Sequence, residues 1–157
     1  MSSRGKARKR ALDVLYQADV RGEPATVILA TEQRLRTGDG QPLNPFVSVL
    51  VDGVALHSVL IDEQISQHSV GWTLDRMPAV DRAILRIGCL ELLSTHGVVT
   101  LDEREMTPPA VVIAEAVRLA GELSTEESAG FVNGVLAAIE RDLPPSAVLD
   151  SMDSTIG

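Results

Sequence analysis

The 157-residue sequence has little cysteine and few aromatic residues. Its single cysteine, Cys89, excludes an internal disulfide, which is typical of a protein in a reducing, cytoplasmic setting. Only four residues are aromatic, so we expect an aliphatic, alanine-rich core of the kind that helices build. No apolar run approaches the roughly 20 residues that span a bilayer. The basic N-terminus also lacks the apolar segment of a secretory signal.

Motifs that carry catalysis or bind metals are missing as well. The histidines are scattered, and His57 and His68 would lie about 16 Å apart along a helix, too far to share a metal ion. The loop around Gly38 and Gly40 lacks the lysine and hydroxyl residue of a phosphate-binding loop. We find no Ser–His–acid signature and no nucleotide-binding glycine pattern. Nothing in these patterns therefore requires an enzyme, and we expect no cofactor and no metal.

Positive charge is present mainly at the N-terminus. Residues 1–10 contain no acid and five cations: Arg4, Lys6, Arg8, Lys9 and Arg10. Subtracting these five charges from the formal net charge of −8 leaves −13 for the rest of the chain. Cationic side chains displace the counterions of phosphates, so this segment suits a polyanion. Charge alone leaves open the alternative of an unstructured, solubilising terminus.

Apolar residues recur at helical spacing through most of the chain, and no segment alternates as a strand does. The pattern predicts an all-α fold, with a basic RNA-binding arm over 1–10, a helical domain over 7–143 and a flexible polar tail over 144–157. Within it we expect helices over 7–20, 25–36, 46–68, 79–95, from 108, and from about 129 to 143, with a short turn at 72–77. The segment 79–95 is apolar on most sides and so predicts a buried central helix.

Local signals predict how the last two helices begin. Thr107 can cap a helix whose first residue is Pro108. The run from Ser124 to Glu127 has the spacing of a capping box. Gly134 lies inside the last predicted helix, where glycine is costly, and so predicts close helix packing or the close approach of a ligand.

Four segments carry a family resemblance: Ala7-Arg8 with Ala11 to Tyr16, Asp81-Arg-Ala-Ile-Leu-Arg86 within residues 72–93, Ile113 to Val117, and Phe131-Val-Asn-Gly-Val-Leu136. In this order and spacing they closely resemble the NusB family of transcription antitermination factors, over residues from about 4 to 143. The resemblance implies a single all-α domain of about seven helices, arranged as two helical subdomains, without catalytic activity.

The resemblance also implies partners and binding residues. Family members bind the boxA element of ribosomal RNA leader transcripts together with NusE, a small-subunit ribosomal protein, and help RNA polymerase to read through terminators. The expected RNA-binding residues are Arg4, Lys6, Arg8, Lys9, Arg10 and Phe131. The expected partner-binding residues are Tyr16, Asp81, Glu127 and Phe131. Members occur as monomers and as homodimers, so the sequence leaves the oligomeric state open.

The sequence departs from the family pattern at several places. Ala114 replaces a usual asparagine, Gly130 a frequent basic residue and Leu90 a common tyrosine, and residues 100–107 form a charged insertion. Two other interpretations stay open. One is the NusB-like domain of an RNA cytosine methyltransferase, in which case the chain would be a fragment. The other is a purely structural helical scaffold, which salt-dependent RNA binding would distinguish from an RNA-binding factor.

Overall fold

A computed structural model describes residues 2–101 and 106–145, and within these residues the fold is all-α, as predicted. The α-helices are α1 (Ser3–Arg21), α2 (Ala25–Gly38), α3 (Pro45–Leu56), α4 (Ser58–His68), α5 (Ala79–Thr95), α6 (Pro109–Leu123) and α7 (Glu126–Asp142). A single 3₁₀ turn, Leu74–Arg76, precedes α5. Residues 146–157 of the predicted tail and residues 102–105 of the predicted insertion lie outside the described residues.

The helices form two groups around a central helix. Helices α1, α2 and α3 pack against one another, and α4, α6 and α7 pack around α5. Helix α5 also contacts α1 and α3, so it belongs to the core of both groups. Thirteen of its 17 residues are buried. The predicted central helix and the two helical subdomains are therefore confirmed.

Two glycines allow neighbouring helices to approach α5 closely. A Cβ atom on Gly53 of α3 would lie 2.7 Å from a methyl group of Leu90. A Cβ atom on Gly88 of α5 would lie 2.8 Å from a methyl group of Leu136 in α7. Real Cβ atoms do not approach other atoms so closely, so a larger residue at either position would require the facing leucine side chain to move.

The single helix predicted over 46–68 is wrong, because the chain bends at His57 into α3 and α4. The two helix axes meet at 77°. The backbone amide of His57 still donates to the Gly53 carbonyl and its carbonyl still accepts from Ile61, at 3.0 and 2.9 Å. The apolar pattern continues across the bend because α3 buries its face against α1, α2 and α5, whereas α4 buries its face against α5 and α7.

None of the described helices is long and apolar enough to cross a membrane by itself. The pair α3 and α4 reaches the required length and composition only when the two are counted together across their bend.

The starts of α6 and α7 differ from the predicted ones. Helix α6 begins at Pro109, with Pro108 rather than Thr107 in the capping position. Helix α7 begins at Glu126, three residues before the predicted start, and its cap is Thr125, whose side chain accepts from the Ser128 amide at 2.9 Å. The third residue of the helix is thus a serine, so the predicted capping box with Glu127 does not form.

Candidate nucleic-acid and protein interface

Helix α1 divides the N-terminal cations into two sets. The helix begins at Ser3, where the Ser2 side chain accepts from the Gly5 amide at 3.0 Å. The basic segment is therefore the first two turns of a packed helix rather than a separate arm, and the helix begins at Ser3 instead of at the predicted residue 7. Because a helix repeats every 3.6 residues, Arg4 and Arg8 face the protein, while the other cations face outward.

Arg8 is buried, with only 4% of its surface exposed. Its guanidinium donates to both carboxylate oxygens of Glu91 in α5, at 2.9 and 2.8 Å, and to the Thr107 hydroxyl at 3.1 Å. Glu91 is itself only 3% exposed. Such a bidentate pair satisfies two buried charges at once. Arg8 therefore joins α1 to α5 and to the segment before α6, away from the solvent where an RNA phosphate would lie.

Arg4 has a related position. Its guanidinium donates to the Thr107 hydroxyl at 3.1 Å and lies 4.4 Å from the centre of the Phe46 ring. The Arg8 guanidinium lies 5.4 Å from the same ring centre. Phe46 is buried, so these cation–π contacts attach the start of α1 to the start of α3. Thr107 thus accepts hydrogen bonds from both arginines instead of capping α6.

The outward-facing cations lie along a groove of about 670 Å³. Lys6, Lys9 and Arg10 line it from α1, and Arg36 lines it from the end of α2. The other lining residues are Ser3, Ala7, Leu12, Asp13, Tyr16, Leu43, Asn44, Val47, Val80 and Leu123. A groove with cationic edges and apolar walls can hold phosphates and also accommodate unstacked bases.

The three outward cations differ in how strongly acids hold them. Lys9 Nζ lies 3.0 Å from Glu122 Oε1. The Arg10 guanidinium lies 3.8 Å from Asp13 and 3.9 Å from Glu32. Lys6 is exposed, and within the described part of the chain no carboxylate forms an ion pair with it. These solvated pairs contribute little to stability, so the cations can exchange partners.

Asp81 lies inside the protein rather than on its surface. It is 0% exposed, and its Oδ2 accepts a hydrogen bond from the Ser128 hydroxyl at 2.8 Å. The Ser128 hydroxyl in turn accepts from Ser124 and Thr125, each at 3.0 Å. Asp81 therefore connects the start of α5 to the start of α7, and the predicted partner contact at this residue has no exposed surface to use.

The other predicted partner residues reach the surface at different places. Tyr16 is 37% exposed and lines the groove of α1. Glu127 is exposed on the first turn of α7. Phe131, one turn further along α7, is half-buried and packs edge-to-face on Trp72, with ring centres 5.0 Å apart.

Three residues of the candidate interface were not predicted from the sequence: Arg36, Trp72 and Arg118. Trp72 is 36% exposed. Because the chain has only four aromatic residues, an exposed one is a marked feature, and this scarcity was the signal that the sequence offered. Arg118 lies on α6 beside Lys9, because both contact Glu122. Nothing in the linear sequence relates residues so far apart.

The exposed face of α7 contains two glycines, so it carries few side-chain atoms there. Gly130, Asn133 and Gly134 are exposed, and an added Cβ atom on either glycine would meet nothing within 4 Å. Close helix packing, one of the two reasons predicted for Gly134, is therefore wrong.

Among residues 2–101 and 106–145, the other reactive side chains form no arrangement that suggests catalysis. Burial raises the pKa of the Cys89 thiol to about 12, so this cysteine is an inert part of the core. Among the described residues, no group of three or more histidine, cysteine or acidic side chains could hold a metal ion.

Comparison with known proteins identifies the family. Residues 5–141 match the NusB family model. The chain belongs to the NusB family. This membership places it among transcription antitermination proteins and not among enzymes.

The NusB relatives match over nearly the whole chain. It is 49% identical to the transcription antitermination protein NusB of Nocardioides sp. over 147 residues, which are 94% of this chain and 100% of that protein. It is 51% identical to the NusB of Clavibacter michiganensis over 141 residues, 88% of this chain and 96% of that one. Neither relative is a methyltransferase, the alternative considered from the sequence.

Solved NusB structures have the same fold. A T. maritima NusB superposes with a TM-score of 0.73 at 27% identity, covering 92% of this chain and 94% of that chain. NusB in a complex of the antitermination factors NusB and NusE with double-stranded RNA superposes with a TM-score of 0.70 at 30% identity, covering 90% of this chain and 98% of that chain.

Proposed function

We propose that this chain is a transcription antitermination factor that binds the boxA element of ribosomal RNA leader transcripts together with a NusE ribosomal protein. In the cytoplasm, the complex would join RNA polymerase and promote read-through of terminators. The observation that carries the proposal is the groove along α1, where Lys6, Lys9, Arg10 and Arg36 surround apolar walls. Family membership and the relative solved with NusE and RNA support it.

The proposal assigns the N-terminal cations to two roles. Lys6, Lys9 and Arg10 are exposed or half-exposed at the groove and contact RNA phosphates. Arg4 and Arg8, predicted as RNA contacts from the sequence, hold α1 on α3 and α5 so that the other cations stay in position. The −8 net charge of the whole chain repels RNA elsewhere, which confines binding to this groove.

The proposed partner surface includes Glu127 and Phe131 on α7 and Tyr16 at the groove of α1. Phe131 with Trp72 offers an exposed aromatic edge, and Glu127 offers an acid that suits a basic ribosomal protein. Aromatic anchors would carry most of the binding energy, and the acid would mainly steer association. The buried Asp81 supports this surface from inside the protein, because it accepts a hydrogen bond from Ser128, one turn before Phe131 on α7.

RNA binding measured with and without NusE tests the proposal. Fluorescence anisotropy would compare boxA RNA with a scrambled sequence, using wild type and a Lys6→Ala/Lys9→Ala/Arg10→Ala variant. About three phosphate contacts predict a logarithmic salt slope near −2 on single-stranded RNA. We expect the triple variant to lose most RNA affinity and remain folded, and NusE to increase boxA selectivity. Equal affinity of the triple variant and wild type would refute the groove as the RNA site.

A Phe131→Ala variant separates the two roles proposed for this residue. If Phe131 stacks on RNA bases, the variant binds RNA less tightly in the absence of NusE. If it contacts only the partner, RNA binding by the isolated protein is unchanged and NusE affinity falls. Denaturation of the same variant controls for the loss of the Trp72 contact. Sedimentation of the free protein would decide between monomer and homodimer.

A further inference from the structure

Helix α6 places a carboxylate between two cations at the edge of the groove. Glu122 Oε1 accepts from Lys9 Nζ of α1 at 3.0 Å, and Glu122 Oε2 accepts from the Arg118 guanidinium at 2.9 Å. Lys9 and Arg118 belong to different helices, so Glu122 bridges α1 and α6. Its neighbour Leu123 lines the same groove as Lys9, which shows that the end of α6 borders the proposed RNA site.

The bridge is solvated and can open. The side chains of Lys9, Glu122 and Arg118 are 44%, 41% and 37% exposed. Exposed ion pairs are weak because water and salt screen them. The hydrogen bond and the charge of Lys9 lower the pKa of Glu122, which favours its ionised form. An RNA phosphate has the same charge as this carboxylate and can replace it at both cations.

We infer that Arg118 extends the RNA-binding surface from α1 onto α6 and that Glu122 competes with RNA phosphates for Lys9 and Arg118. This inference rests on the proposed RNA-binding function. Lys6, which forms no ion pair within the described residues, would be the first contact for RNA. Lys9 becomes available as Glu122 gives way. Arg118 also donates to Glu115 at 3.1 Å, so a phosphate must replace that carboxylate as well. Glu122 thereby weakens binding to any RNA, so selectivity depends more on the partner and on base contacts.

Neutralising Glu122 tests the competition. RNA affinity would be measured by fluorescence anisotropy with single-stranded boxA RNA for wild type, Glu122→Gln and Glu63→Gln. Glu63 is the matched control, because it is exposed on α4 and no residue of α4 lines the groove. We expect Glu122→Gln to raise affinity about three- to tenfold at low salt, from two exposed pairs of ordinary strength. The gain should shrink as salt rises, and Glu63→Gln should change affinity less than about twofold.

A second set of variants tests Arg118 and the origin of the gain. Arg118→Ala should weaken RNA binding, and Glu122→Gln should give no gain in a Lys9→Ala/Arg118→Ala background. If Glu122→Gln and Glu63→Gln behave alike, or if the gain persists without both cations, the inference is overturned. If Arg118→Ala binds RNA like wild type, the extension onto α6 is overturned.

These outcomes are distinguishable from failure of the proposed function. Loss of affinity in the Lys6→Ala/Lys9→Ala/Arg10→Ala variant, without an effect of Glu122→Gln, would overturn only the inference. Unchanged affinity in the triple variant would overturn both. Affinity for NusE serves as the folding control, since Glu122→Gln should leave it unchanged.

Discussion

Replacing Arg8 by alanine should destabilise the protein strongly, because it leaves a buried carboxylate without its partner. Arg8 and Glu91 are 4% and 3% exposed, and Arg8 donates two hydrogen bonds to Glu91 and one to Thr107. Removing one member of such a buried pair costs about 3–5 kcal/mol. A domain is stable by only about 5–15 kcal/mol. For a chain of this size the loss corresponds to a fall in Tm of about 6–20 °C.

Urea denaturation followed by far-UV circular dichroism would measure the loss, and two variants make it specific. Lys6→Ala, on the exposed side of the same helix, should change stability by less than about 0.5 kcal/mol. Arg8→Met/Glu91→Leu removes both charges and keeps side-chain volume, so it should recover most of the stability lost in Arg8→Ala.

The opposite result would assign Arg8 to RNA. If Arg8→Ala is within about 1 kcal/mol of wild type, below the cost of breaking a buried pair, the pair does not hold α1 in place. If that folded variant also fails to bind boxA RNA, Arg8 contacts a phosphate, as the sequence resemblance predicted. Stability and RNA affinity measured on the same preparation therefore decide between the two roles.

Deleting residues 1–10 should unfold the domain rather than only weaken RNA binding, since Ala7 and Arg8 are buried; circular dichroism of the truncated chain checks this. The hydrogen bond from His68 lowers the pKa of Asp142, so the stabilisation by this carboxylate should be present above the pKa of an unfolded aspartate, about 3.9. It should vanish as pH falls through the lowered pKa. In urea denaturation, Asp142→Asn should then be less stable than wild type at about pH 6, and the difference should shrink as the solution is acidified. Cys89, with a pKa of about 12, should resist iodoacetamide in the native protein and react after unfolding in urea.

Helical periodicity predicted which residues are buried but not what buries them. Residues 46–68 show one continuous apolar pattern, yet Leu50 and Ile61 pack in different subdomains on either side of His57. Periodicity alone does not detect such a bend, because the apolar face stays inward on both sides. The central helix was predictable for the opposite reason, since a segment that is apolar on most sides must be surrounded by protein.

The sequence identified the charged residues of the candidate site but not which of them face the protein and which face the solvent. Arg8 shares the face of Ala11 and Leu15, and Glu91 is the single acid within an apolar run from Ile87 to Leu93. An acid in a buried helix needs a partner, so these two facts together were a signal for a buried pair. The contact between Lys9 and Glu122 had no such signal, because it depends on how α1 and α6 lie in the folded domain.

The motif that carries the family resemblance proves to hold helices together. Asp81 accepts from Ser128 of α7, Arg82 donates to Asp19 of α1 at 2.8 Å, and Arg86 donates to Asp62 of α4 at 3.0 Å. From one helix, these three side chains fix α5 to three of its neighbours. A sequence motif therefore identified the family without marking the surface on which it acts.

The cations at the start of helix α1 are unfavourable for the helix itself, but contacts with other parts of the fold compensate for them. Five cations near a helix N-terminus oppose its dipole, and the first turn contains no acid to compensate. The compensation comes from elsewhere, through the Ser2 cap, the Glu91 carboxylate and the Phe46 ring. Because Glu91 and Phe46 hold only the inward arginines, the outward cations stay at the groove. Lys9 and Arg10 have exposed, weak acid partners, and Lys6 has no ion pair within the part of the chain that the structure describes. A helix start that is costly for folding by itself is thereby kept available for a polyanion.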